Sequence, residues 1–200
     1  MQGPASEAVL SELNPQIKKM KFMDVETLLI GGANCWVSRS GYTGEDGFEI
    51  SIPAGAAEQV ARSILSNQNV EFIGLGARDS LRLESGLCLY GHDIDKATTP
   101  VEASLTWAIQ KARKANGSRA GGFIGSKIIL NQLDNGTDKK RVGFLPQTRA
   151  PMREGVEIFA TEASKEVIGK ITSGGYGPTV GHPIACLLYT SPSPRDRVQS

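Results

Sequence analysis

The 200-residue sequence predicts an α+β fold, and three observations carry that reading. Extended runs at 25–30, 35–39 and 48–52 precede two segments with apolar residues at helical spacing. That grouping of strands then helices differs from the regular alternation a parallel sheet needs. Beyond a small, glycine-rich stretch at 115–122, ANGSRAGG, brief extended runs are separated by Pro, Gly and acidic turns. They read as a small β-barrel or sandwich.

In chain order, Ser6 is placed to cap a helix to about residue 13, with Val9, Leu10 and Leu13 inward and Pro15 closing it. Residues 31–34 turn the chain between the first two strands. The stretch 38–52, SRSGYTGEDGFEISI, then reads as strand, glycine-punctuated turn, strand. Phe48, Ile50 and Ile52 share one face and Glu49 takes the other, by the period of two. Gly41, Gly44 and Gly47 are expected to open backbone conformations closed to other residues and to let a ligand approach the main chain. Glu49 stands just past the turn, on a strand, where a side chain is well held. Read alone, the same stretch is a surface hairpin with solvated Glu45, Asp46 and Glu49.

A helix through residue 65 carries Ala57, Val60, Ala61, Ile64 and Leu65 on one side. Gly74 and Gly76 precede another helix at about 77–84. Thr99, Pro100 and Glu102 form a capping-box pattern. It predicts a longer helix with Val101, Leu105, Ala108, Ile109 and Ala112 as its apolar side, and Trp107 off that line facing a neighbouring domain. A short helix at 126–133 and extended runs at 141–145, 156–160 and 165–172 follow. The last fourteen residues, LLYTSPSPRDRVQS, hold two prolines, three serines and two arginines and are not expected to continue a barrel strand.

Lys plus Arg is 22 against Asp plus Glu at 21, so no nucleic-acid partner is expected. The basic run at 111–114, KARK, suits a solvated helix end. Cys35, Cys88 and Cys186 form neither a disulfide framework nor a metal signature, which favours a reducing compartment. His92 and His182 are too few and too far apart in sequence for a metal site, and none is expected; His92 is either a ligand-facing group or a plain loop or core histidine. No apolar run approaches the ~18 residues that span a bilayer, so no membrane association is expected.

Two blocks, GYTGEDGFEI and GLGARDSLRLESGLCLYGHDID (74–95), closely resemble the aminomethyltransferase family of the glycine cleavage system, the T-proteins. The likeness runs from Gln2 to about Ala185. It implies a three-lobed cloverleaf around a folate. Residues 1–114 would be the central part of the folate-binding domain, 115–137 a linker and short helix, and 138–186 a truncated C-terminal β-barrel. Residues 187–200 would be a non-native or disordered tail. A QGP segment like that at 2–4 lies well inside family sequences, so the family's N-terminal part is expected to be missing, and with it the essential aspartate. No catalytic residue is therefore assigned here, and the chain is expected to be inactive alone.

The resemblance implies transfer of a methylene from an aminomethyl-lipoyl carrier, the H-protein, to tetrahydrofolate, with release of ammonia. Glu49 matches the glutamate that binds the pterin, whose amino group and ring N–H one carboxylate can accept together. Arg78 matches an arginine at the folate site; read alone it is a surface neighbour of Asp79, and Arg82 is its competitor, able to pair with Asp79 at i−3. Tyr42 and Tyr90 match positions near the folate pocket, and read alone each is a half-buried core tyrosine. The implied location is the mitochondrial matrix, or the cytoplasm in a bacterium. Two other readings share the fold. Dimethylglycine or sarcosine dehydrogenases usually carry GELGWE where this chain has GEDGFE. Folate-binding iron–sulfur assembly factors usually carry a KGCYxGQE motif, a context that none of the three cysteines matches.

Overall fold

The structure, a computed structural model, describes residues 1–190 and divides into two compact units, Met1–Leu87 and the chain from Cys88 onward. It is a mixed α+β architecture with one antiparallel sheet in each unit.

In the first unit, helix α1 (Ser6–Leu13) leads through a 3₁₀ turn, Pro15–Lys19, into β1 (Val25–Ile30). Ser6 is not the cap: it is buried in the first turn, and Ala5 takes the cap position without a side-chain bond. Strand β2 (Ala33–Ser38) pairs antiparallel with β1, from Val25 opposite Ser38 to Ile30 opposite Ala33. Gly31 and Gly32, at φ +54° and +89°, make so tight a reversal possible. Strand β3 (Glu49–Ser51) adds to the far side of β2, with Glu49 opposite Ser38. Leu28, Ile30, Cys35, Val37 and Phe48 on the sheet's inner face pack with Leu10, Ile17, Met20 and Val60 as one core. Val60 belongs to α2 (Ala57–Leu65), which shows the expected apolar stripe. Helix α3 (Leu75–Glu84) ends the unit.

The second unit departs more from expectation. The capping box forms: Thr99 N–H donates to Glu102 Oε2 (2.8 Å), and Glu102 N–H reaches Thr99 Oγ1 (3.2 Å). The long helix does not. Only single 3₁₀ turns, Thr106–Ala108 and Lys111–Arg113, follow, and Trp107 is exposed. The carbonyls that would propagate a helix are taken by Arg141, whose N–H bonds Glu102 O (2.6 Å) and whose Nε–H bonds Ala103 O (2.9 Å). Ser104 at φ +59° completes the break.

Helix α4 (Ser126–Asn135) precedes β4 (Lys140–Phe144), β5 (Glu157–Phe159), β6 (Val167–Gly177) and β7 (His182–Tyr189). They form one antiparallel sheet in the order β4-β7-β6-β5. Strand β7 corrects the reading that residue 187 begins a segment unable to continue a strand. Leu187, Leu188 and Tyr189 pair with Val142, Arg141 and Lys140 on one side and with β6 on the other. These three are apolar or aromatic residues that suit a strand, and the two tail prolines, 192 and 194, come later. The rest of the expected tail, 191–200, lies outside the described residues.

Candidate functional site

The loop 39–48 is held from three directions. Arg39 donates from Nε and Nη2 to the two carboxylate oxygens of Asp46 (3.0 and 2.7 Å), a fork-to-fork pair. Its Nη2 also reaches Glu7 (2.7 Å), its Nη1 reaches Met20 O (2.8 Å), and its guanidinium lies 5.3 Å from the Phe48 ring centre. Hydrogen bonding from Arg39 is the main reason the Asp46 carboxyl sits below the ordinary carboxylate range. Asp46 is thus a brace of the fold rather than a solvated acid.

The glycines do not act as expected. Only Gly44 has positive φ (+83°). The space each glycine leaves is filled by the protein itself: a Cβ at Gly41 or Gly47 would overlap the Gln2 side chain, and one at Gly44 the Ser85 hydroxyl. Ser85 Oγ donates to Thr43 O at 2.5 Å, tying the loop to the end of α3.

Glu49 lies beyond this braced turn, exposed, its carboxylate accepting from Ser40 Oγ at 3.1 Å. Ser40 Oγ is in turn 2.9 Å from Ser38 Oγ. Glu49 lines a cavity of about 820 Å³, a size that suits a small-molecule site. Phe48, Ile50, Ile52, Ile64 and Leu65 make its wall largely apolar, Phe72 and Ile73 are exposed at its edge, and Arg78 contributes a cation. The lining thus combines an apolar wall with one anionic and one cationic side chain. A second cavity, about 370 Å³, lies beside α1 and α2, where Glu12 already accepts from Asn67 Nδ2 (3.0 Å).

The two arginines of α3 separate cleanly. Arg82 is 2% exposed, bonded through Nε and Nη2 to Asp79 Oδ1 (2.7 and 2.6 Å) and through Nη1 to Leu87 O (3.3 Å). Arg78 stands one turn earlier, with its guanidinium 4.6 Å from the Tyr42 ring centre, a cation–π stack beside the cavity. Arg82 thus takes the pairing with Asp79 that competed for Arg78.

Glu49, Arg78 and Tyr42 are therefore brought together within the first unit. Tyr90 belongs to the second unit and is 69% exposed, not half-buried. Its loop holds His92, whose Nδ1 is 2.8 Å from Glu154, and the buried Asp93. Sequence reasoning passed over Gln2, Arg39 and Ser40. Only Gln2 carried a signal, its place in the QGP segment; the other two depend on strand register.

Comparison with known proteins matches residues 1–113 to the GCVT N-terminal domain and residues 139–190 to the glycine cleavage T-protein C-terminal barrel domain. The chain belongs to the glycine cleavage T-protein family. The mitochondrial aminomethyltransferase of Solanum tuberosum is 47% identical over 188 residues, 92% of this chain and 45% of that protein. The probable mitochondrial aminomethyltransferase of Schizosaccharomyces pombe is 45% identical over 187 residues, 92% of this chain and 46% of that protein. The crystal structure of the glycine cleavage system aminomethyltransferase T from Bartonella henselae superposes with a TM-score of 0.78 at 42% identity, covering 92% of this chain and 48% of that one. The chain therefore spans under half the length of these family members.

Proposed function

We propose that this chain carries the reduced-folate-binding part of an aminomethyltransferase of the glycine cleavage system. The observation that supports it best is the apolar cavity with an anion and a cation on its wall, Glu49 and Arg78, in a chain of this family. The Glu49 carboxylate accepts the paired N–H groups at the pterin edge, while Ile50 and Ile52 offer apolar contact to its rings. Arg78, steadied on Tyr42, meets a carbonyl or carboxylate of the same ligand. Tyr90 is a further candidate contact on the strength of the family match alone.

In the whole protein the reaction is aminomethyl transfer. Tetrahydrofolate attacks the methylene carried on the lipoyl arm of the H-protein, ammonia leaves, and methylenetetrahydrofolate and the dihydrolipoyl carrier remain. The residues of this chain bind and orient the acceptor. None of them is assigned the proton transfer. The sheet β4-β7-β6-β5 is the start of the family's C-terminal barrel. The mitochondrial aminomethyltransferases among its relatives point to the mitochondrial matrix.

Calorimetric titration with tetrahydrofolate tests the reading. Charge-assisted hydrogen bonds contribute about 1.5–3 kcal/mol each, so Glu49→Gln should weaken binding by about tenfold or more. Unchanged affinity in a folded variant refutes the role of Glu49.

A further inference from the structure

The segment before α1 clips both limbs of the turn that carries the site. Its backbone pairs with one limb: Phe48 N–H donates to Met1 O (2.8 Å), Gly3 N–H donates to Asp46 O (2.9 Å), and Gln2 bridges to Gly47. The Gln2 side chain holds the other limb. Its Nε2 donates to Ser40 O (3.2 Å), and its Oε1 accepts from Tyr42 N–H and Thr43 Oγ1, each at 3.3 Å. Those three bonds use the amide in both of its roles, donor and acceptor. The amide sits where Gly41 and Gly47 lack side chains, so both glycines make room for it.

Each residue Gln2 grips leads to the cavity. Ser40, held by its carbonyl, points its hydroxyl at Glu49. Tyr42, held by its N–H, supplies the ring under Arg78. A single amide thus fixes the platforms of both charged groups, and its own residue lines the same cavity. We propose that Gln2 is a positioning residue for the Glu49–Arg78 site, setting the separation of the anion and the cation that a reduced folate meets. The folate part of this statement rests on the function proposed above.

Gln2→Met keeps the length of the side chain and removes all three hydrogen bonds. Gln2→Glu keeps the acceptor for Tyr42 and Thr43. Amide exchange resolved by residue and the side-chain proton shifts of Arg78 read the geometry without any ligand; tetrahydrofolate titration reads its consequence. In Gln2→Met, exchange at Tyr42 should quicken about tenfold, the effect of one net hydrogen bond. The Arg78 protons should lose their ring-current displacement, the tetrahydrofolate Kd should rise about tenfold, and β1–β2 amides should stay protected. Gln2→Glu should return Tyr42 exchange to within about threefold of the parent.

Parent-like exchange and Arg78 shifts in Gln2→Met overturn the proposal. So does a looser turn with unchanged tetrahydrofolate affinity, provided Glu49→Gln still loses affinity; the folate reading then stands and Gln2 is only structural. If the parent chain does not bind tetrahydrofolate, the folate reading fails, and Gln2 as the clip of the turn stands or falls on the Tyr42 and Arg78 signals.

Discussion

Two acids near turns, one in each unit, have opposite fates. Asp93, in the second unit, is fully buried; it accepts from Leu89 N–H (2.9 Å) and from Thr172 Oγ1 (2.5 Å), a residue of β6. Glu49, in the first unit, stands at the edge of an apolar cavity with a hydroxyl on one oxygen. The fold consumes the first carboxylate and leaves the second facing a space. The difference teaches where to look for function: the number of donors already spent on a carboxylate separates a brace from a binding group better than its sequence context does. The arginines of α3 repeat the lesson, Arg82 spent on Asp79 and Leu87, Arg78 stacked beside the cavity.

The sharpest way to break this comparison is Asp93→Ala. It takes the side-chain acceptor from the half-buried Leu89 N–H, leaves the Thr172 hydroxyl only Cys186 O, and should cost about 3 kcal/mol of stability, read by urea unfolding. A loss as small as that of an exposed acid would erase the contrast. Arg82→Ala comes next, at about 2 kcal/mol, through lost packing and lost bonds to Asp79 and Leu87. Arg78→Ala should cost under about 1 kcal/mol, the scale of a cation–π contact, while weakening tetrahydrofolate binding severalfold. Similar unfolding curves for the two arginine variants would contradict their assignment.

The smallest effect is that of acid. Hydrogen bonding from Arg39 depresses Asp46, and bonding from Thr98 depresses Asp95. Groups lowered in the folded state stabilise it above their unfolded pKa, roughly 3.9, and lose that contribution as pH falls through the lower folded value. Both units should therefore weaken below about pH 4, and Asp46→Asn should flatten the decline in the first unit only. An undiminished decline there contradicts Asp46 as the brace of the turn.

Much of the first unit was legible because its signals are local. The apolar period of α2, the strand residues of β1 and the paired glycines at 31 and 32 each specify their element without distant help. The second unit was less legible for the opposite reason. The Thr99–Glu102 box forms, yet Arg141, some forty positions away, takes the carbonyls the helix needed. The end of strand β7 was not foreseen because the prolines, serines and arginines of the last fourteen residues argued against it. Pro183, lacking an N–H, sits near the strand's start, opposite Tyr176, where little of the ladder is lost. In the site, residue types and rough placement of Glu49 and Arg78 could be read, but not what surrounds them. That Gln2 and Ser85, rather than a ligand, fill the space left by the three glycines depends on contacts between positions about forty apart.

A structure of the chain with tetrahydrofolate bound tests the central claim most directly. The pterin should lie against Ile50 and Ile52 with its amino group and ring N–H about 3 Å from the Glu49 carboxylate. A pterin seated elsewhere, or a Glu49 carboxylate turned from it toward solvent, would contradict the account.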